Sequence, residues 1–486
     1  MTMRDRTMRW EQLLHEKRIR LLDEPVDSHK SRGDLRSEFQ RDYDRSLFST
    51  PVRRLQDKAQ VFPLEPHDSV RTRLTHSLEV SNVARGLATN LTPWLAENGR
   101  LADRDDRGLI EQRKASIELI AATCGLIHDL GNPPFGHSGE EAIREWFRAR
   151  PANFFAEFDT APTPGLREQL RQDFLNFEGN AQTLRIVSRL QVLADFYGLN
   201  LTCGTMSAAC KYIAPSVEAN RDGNAHERKK PGFFTSEHNL IDRVQQETGT
   251  QGARNPITYL VEAADDIVYS TVDIEDGVKK GVVGWAEVLE KLKKETGSDD
   301  ALLRRVIART QDYLCRAKPP LDGPDADEAT SQIFRTFSIN EIVPVVVQAF
   351  KNHYDAIMAG EFHDELVGSS PAASLVAACK KVARQCIFRR DPGILEREIA
   401  GRRVIHDLMD CFWEGVKNHC LGDKDGNDFP SKIRSLISTN YRRVFAWSWE
   451  NLTLPRSYLR MQLVTDYVCG MTDSFASRLH GKLTNG

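Results

Sequence analysis

Apolar residues recur at three- and four-residue spacings through Leu74–Leu87, Ala115–Leu130, Ala181–Leu193, Ile257–Asp273, Glu341–Met358, Ala372–Cys386 and Tyr458–Leu479. That is the period of helices burying one face. Alternating patterns are short, at Gln60–Pro63 and Leu201–Tyr212, the second with a hairpin expected around Gly204. The pattern predicts a mostly α-helical protein with one or two small β elements. Residues 148–172 and 214–238, rich in Pro, Gly, Asn and charge, read as loops, and the Pro- and Asp-rich stretch Lys318–Glu328 as a separator. Three regions follow: a peripheral charged arm over 1–35, a catalytic portion over 36–320 and a C-terminal helical region over 321–486.

Polar residues interrupt this pattern at telling places. The apolar run Ile117–Ile127 ends in His128-Asp129-Leu130-Gly131-Asn132-Pro133-Pro134. Gly131 suits a left-handed cap there, and the two prolines forbid the helix to continue. An imidazole and a carboxylate at the last turn of a buried helix need partners, and a metal ion satisfies both. The dipeptide alone decides nothing, because the chain has four: His67-Asp68, His128-Asp129, His363-Asp364 and His406-Asp407. Along Ile257–Asp273, Asp265, Tyr269 and Asp273 recur every four residues beside an apolar stripe of Leu260, Ala264 and Val268. Asp266 lies about 100° further round the helix and is expected to meet a different polar partner, which leaves Asp265 as the candidate ligand.

His76 falls inside a helix expected to start near Ser69–Thr72, with Arg73 one turn earlier to suit a phosphate. Two imidazoles and two carboxylates, from His76, His128, Asp129 and Asp265, can hold one divalent cation and leave positions for water or a phosphate oxygen. After the Pro-Pro turn, His137 and Glu140 stand three residues apart, a spacing at which the carboxylate can fix the imidazole for proton transfer. Ser138 and Glu141 spell a capping box for the same helix.

Composition adds limits rather than direction. The 486 residues are 40% hydrophobic and 28% charged, with a net charge of −3, so no global basic field points to nucleic acid. The basic stretches Arg4–Arg20 and Lys380–Arg403 read as solvated helix faces. Nine cysteines without a CxxC argue for reduced thiols. With no apolar leader and no run approaching a membrane span, a soluble cytoplasmic protein is expected. The absence of GxxxxGK[ST] argues against a P-loop NTPase.

Further segments carry a resemblance: Ser37–Arg45, Arg53–Gln56, Gln60–Pro63, Arg71–Ser77, His128–Glu140, Asn176–Gln182, Lys230–Phe233, Glu262–Ile267 and Asp466–Asp473. At these positions and in this order the sequence resembles the deoxyguanosine triphosphate triphosphohydrolase family of the HD-domain superfamily. The resemblance implies an HD-type helical bundle with a C-terminal helical extension. It also implies hydrolysis of dGTP or another dNTP to deoxynucleoside and inorganic triphosphate.

By position in those motifs, His76, His128, Asp129 and Asp265 would bind the metal, Mg²⁺, Mn²⁺ or another transition metal. His137 would be the catalytic histidine and Glu140 its positioner. Gln60 and Asp273 would read the 3′-hydroxyl, with Val61 beside them, and Tyr269 would pack on the deoxyribose and exclude a 2′-hydroxyl. Arg73, Lys211 and Lys230 would take the phosphates, and Asn180 and Tyr212 would line the pocket. The family resemblance also implies a homo-hexamer, and single-stranded DNA or a nucleotide as effector. Other readings are a different HD phosphohydrolase, such as a nucleotide monophosphatase or phosphodiesterase, or a non-catalytic nucleotide- or DNA-binding regulator. The pairing of Gln60 with Tyr269 and Asp273 argues against the first, and the presence of every candidate ligand with His137 and Glu140 against the second.

Overall fold

Helices begin where the sequence offers caps. Thr72 accepts from Thr75 N and its own N–H is taken by the Thr75 side chain, which starts Arg73–Glu97. Asn255 caps Pro256–Lys279, with proline at the first turn where its missing N–H costs nothing. The computed structural model describes residues 7–24, 33–62, 70–191, 195–297, 300–316, 322–423 and 426–484. It is mostly α-helical, as expected. Among the described residues, the strands Ala214–Pro215 and Pro231–Phe233 pair in parallel.

The chain divides into two units, each made of three stretches. The first comprises Met1–Glu11, Gln60–Leu126 and Asn255–Glu396. Its central element is the Pro256–Lys279 helix, packed on Arg73–Glu97, Gly323–Asn352 and Ala373–Ala383. Leu260, Ala264, Ile267 and Val268 are fully buried along it. Each of the larger aliphatic side chains contributes roughly 1.5–3 kcal/mol of transfer free energy. Gly125 crosses the Arg73–Glu97 helix so closely that a Cβ would stand 2.8 Å from the Ser81 Cα. Arg71 ties the two ends of this layer together, donating to Glu79, Glu275 and Asp276. By length and composition the Gly323–Asn352 helix is apolar enough to cross a membrane, a property the sequence pattern did not announce.

The second unit comprises Gln12–Ala59, Ile127–Arg254 and Arg397–Gly486. Here the C-terminal motif has a structural task. Asp466 binds the Arg185 guanidinium with both oxygens, at 2.8 and 2.7 Å. Asp473 accepts from Ala59 N and Phe135 N, both at 3.0 Å, and the Cys469 thiol donates to the Gly131 carbonyl.

Buried Asp173 is a second tie: it accepts from Gln169, Ser216, Thr235 N and Tyr458, joining the Pro164–Leu175 helix to the 214–238 segment and the Arg456–Cys469 helix. Burial pushes its carboxyl up to about 6 against those four hydrogen bonds. A raised folded-state value means the native state binds the proton more tightly than the unfolded chain. The stability it confers is therefore full below pH 4 and lost as pH rises through about 6. Relative to Asp173→Asn, the wild type is expected to lose about 2 kcal/mol of unfolding free energy between pH 4 and 7. Denaturant melts of both proteins across that range check it; parallel profiles would contradict it.

Several expectations are corrected. Leu201–Tyr212 holds no hairpin: Thr202 caps a helix at Cys203–Ala209, and Gly204 lies inside it. The segment is buried on all sides, so its apolar pattern has no solvent face to reveal the period. Gln60–Phe62 form no strand, and Pro63 lies outside the described residues, as do Ser69 and Lys318–Leu321. Residues 148–172 carry a 3₁₀ turn at Ala152–Thr160 and the Thr163-capped Pro164–Leu175 helix.

The N-terminal arm, in its described part, is anchored rather than peripheral. Trp10, Leu13 and Ile19 are buried, and Trp10 donates to the Tyr354 hydroxyl. Within the basic stretch there, Arg18 is no solvated charge but pairs with Glu38 and Asp42.

Candidate metal and phosphohydrolase site

The first unit carries Gln60, Val61, Arg73, His76, Asp265, Tyr269 and Asp273. Arg73 and His76 lie on the first turn of the Arg73–Glu97 helix, both buried. His76 Nε2 stands 3.3 Å from Asp265 Oδ1 on the Pro256–Lys279 helix. Metal–ligand bonds of about 2.0–2.2 Å put neighbouring donor atoms of one coordination shell about 3 Å apart, so this nitrogen–oxygen pair fits a shared cation. Asp266 turns away, as its helical position required, and accepts from Lys380 Nζ at 2.6 Å. Tyr269 and Asp273 continue the stripe from Asp265. Burial raises the Tyr269 hydroxyl and the Asp273 carboxyl, and the negative neighbours of each push the same way, Asp276 and Asp265 in the case of Asp273. Gln60, Val61 and Phe62 lie in a bend, with Val61 buried.

The second unit carries the remaining candidates. The Arg107–Ile127 helix ends one residue before His128, so His128 and Asp129 sit in the turn beyond it rather than in its last helical turn. His128 Nε2 lies 3.5 Å from Asp129 Oδ1, again a spacing two ligands of one cation can have. Asn132 Nδ2 donates to Asp129 Oδ1 at 2.7 Å, and Thr183 Oγ1 donates to the His128 carbonyl. These partners orient the donor groups. Gly131 is not the left-handed cap the sequence suggested. It is needed for close approach, since a Cβ would stand 2.0 Å from the Gly179 carbonyl oxygen. Lys58 donates to the Asn132 and Cys469 carbonyls and so clamps the turn from below.

The Pro-Pro turn delivers His137. Phe135 takes the left-handed conformation (φ 65°) and the helix Gly136–Arg148 starts directly after it. The Ser138–Glu141 capping box does not form: Ser138 is already inside the helix, and Glu141 pairs with Arg144 and Arg148. His137 is 85% exposed, and its Nδ1 is 3.3 Å from Oε2 of the buried Glu140. Glu140 Oε1 accepts from Gly179 N at 2.7 Å. Burial works to raise the Glu140 carboxyl, but the hydrogen bond and charge of His137, with Lys230 and Arg144, hold it down to about 2.

Beyond Gly179, Asn180 and Lys230 both donate to Glu178 Oε1, at 2.9 and 3.0 Å. The Lys230 ammonium stands 5.8 Å over the buried Tyr212 ring, and Lys211 gives its carbonyl to Arg254.

The other dipeptides are accounted for differently. His363 and Asp364 are exposed, His406 lies near Glu145, Asp407 binds Arg403 and His480, and His67-Asp68 falls outside the described residues.

The HD domain family matches residues 73–165. Over 98% of its length the chain is 37% identical to a deoxyguanosinetriphosphate triphosphohydrolase-like protein of Listeria innocua, of which 99% is covered. A protein of Synechocystis with the same description is 33% identical over 98% of this chain and 99% of its own. The deoxyguanosinetriphosphate triphosphohydrolase of Serratia proteamaculans is 31% identical over 94% and 95%.

The chain belongs to the deoxyguanosinetriphosphate triphosphohydrolase family. Its HD domain is a metal-dependent phosphohydrolase domain. The matched segment takes in Arg73, His76, His128, Asp129, His137 and Glu140, whereas Asn180, Lys211, Tyr212, Lys230, Asp265, Tyr269 and Asp273 follow later in the chain.

The sequence assigns no role to Lys58, Thr183 or Glu178. For Glu178 a signal existed, a carboxylate next to the glycine that must meet Glu140. For Lys58 none did, because its partners are backbone carbonyls.

Proposed function

We propose that this family member hydrolyses a deoxynucleoside triphosphate, with dGTP the expected substrate, to deoxynucleoside and inorganic triphosphate. The observation that carries the reading is the near full-length identity to proteins named for that activity. The four donors His76, His128, Asp129 and Asp265 are taken as the ligands of one divalent cation, Mg²⁺ or Mn²⁺. Such a cation supplies polarisation of the α-phosphate and a more acidic water.

The chain's own residues do the rest. Water attacks the α-phosphorus, the bond to the 5′-oxygen breaks, and that oxygen leaves with a proton. His137 can deliver it: its Nδ1 lies 3.3 Å from the Glu140 carboxylate, which orients the imidazole for proton transfer. Arg73, Lys211 and Lys230 counter the triphosphate charge, and Gln60 and Asp273 bind the 3′-hydroxyl. Val61, Asn180 and Tyr212 complete the lining. A cytoplasmic homo-hexamer serving dNTP pool control, responsive to nucleotide or single-stranded DNA, is part of the same reading.

The test is incubation with each of the four dNTPs and GTP in Mg²⁺ or Mn²⁺, with products separated by chromatography. Monophosphate with pyrophosphate, or no turnover with any metal, would overturn the proposal. The sugar gate has its own check. Tyr269→Ala is expected to lower the dGTP-to-GTP ratio of kcat/KM by at least about tenfold, the scale on which pockets discriminate by shape. A variant that rejects GTP as strongly as wild type would remove Tyr269 from that role.

A further inference from the structure

Lys230 is a half-buried ammonium already committed to a partner. Glu178 is 1% exposed in its side chain, and its Oε1 accepts from both Lys230 Nζ and Asn180 Nδ2. Its other oxygen, Oε2, is buried and has no hydrogen-bond partner among the described residues. The charged groups around this carboxylate are Lys230 itself, Glu140 across Gly179, and, behind Glu140, His137 and Arg144. Lys230 directly precedes the short, tightly packed strand Pro231–Phe233, where Gly232 sits so close to the Tyr212 carbonyl that a Cβ would stand 1.9 Å from it. Its backbone has little room to move, so the ammonium turns between partners by side-chain rotation.

We infer that Lys230 is exchanged between Glu178 and the incoming phosphate chain, and that Glu178 takes a proton from solvent when the ammonium leaves. The inference rests on the reading of Lys230 as a phosphate ligand. A buried carboxylate stripped of its cation, with Glu140 still charged nearby, cannot stay ionised cheaply. One proton adds to Oε2, no bond other than hydrogen bonds breaks, and the site's charge balance is kept. Burial and the repulsion from Glu140 already raise the Glu178 carboxyl while Lys230 is in place. Glu178 is thus a positioning residue: it parks and aims Lys230 in the empty site and makes phosphate binding consume a proton.

Inorganic triphosphate is the probe, titrated calorimetrically into the full-length protein at neutral pH in two buffers of different ionisation heat. Wild type is expected to take up a substantial fraction of a proton per site. Glu178→Gln, which keeps the shape and the Asn180 hydrogen bond, is expected to take up none of it. It should also bind triphosphate roughly three- to tenfold tighter, because no ion pair has to be broken. Lys230→Met should bind more weakly and also without uptake, since Glu178 is then protonated beforehand.

Equal uptake in wild type and Glu178→Gln, or weaker binding by a folded Glu178→Gln, overturns the exchange and leaves the hydrolase reading standing. Undiminished triphosphate affinity in Lys230→Met overturns it by removing Lys230 from the phosphates. The hydrolase reading itself fails only if dNTPs yield no triphosphate.

Discussion

His128→Ala is expected to empty the metal site and abolish triphosphate release while the fold persists. Removing an outer partner of a metal ligand costs about ten- to a hundredfold in affinity, so losing a direct ligand should cost more than about a hundredfold. His128 follows the Arg107–Ile127 helix directly, and its backbone is held by Thr183 at the carbonyl and by the close packing at Gly131. The loss should therefore be local. Metal per chain after dialysis, read by elemental mass spectrometry alongside circular dichroism, measures it. His406→Ala is the control: it belongs to an identical dipeptide, yet it lies near Glu145 and should keep its metal. Unchanged metal in His128→Ala, or equal loss in His406→Ala, would refute the ligand assignment.

The second large effect separates chemistry from binding. His137→Ala should retain metal and nucleotide but lose about 10²–10⁴-fold in kcat, the range a positioned proton donor supplies. The side chain is largely exposed, so stability should change little. Glu140 is different. It is buried and binds Gly179 N as well as His137, and Glu140→Gln should lower both kcat and folding stability. An alanine at 137 that turns over within about threefold of wild type would exclude a proton-transfer role, since even the weakest such donor gives more.

How far the sequence reached depended on whether a feature was local. Helix periods, the Thr72 start and a separate polar partner for Asp266 all follow from spacing along one segment, and Lys380 is that partner. The failures share a cause. Gly131 reads as a cap because helix ends often carry glycine; the reason for it is a helix approaching from residues 179–185. Ser138 and Glu141 spelled a capping box, but Phe135 starts the helix earlier in a left-handed conformation that sequence alone does not disclose. Arg18 looked solvated because its partners, Glu38 and Asp42, lie some twenty residues on. Glu178 escaped because its function lies in who shares it, Asn180 and Lys230, and only the fold brings Lys230 there.

The most direct measurement of the central claim is ³¹P NMR of the phosphates, with mass spectrometry of the nucleoside, after dGTP is incubated with the protein and Mn²⁺-free Mg²⁺ in ¹⁸O-enriched water. Inorganic triphosphate carrying the label on a terminal phosphorus, with unlabelled deoxyguanosine, is the predicted result. Pyrophosphate with dGMP, orthophosphate with dGDP, or label in the nucleoside would contradict it.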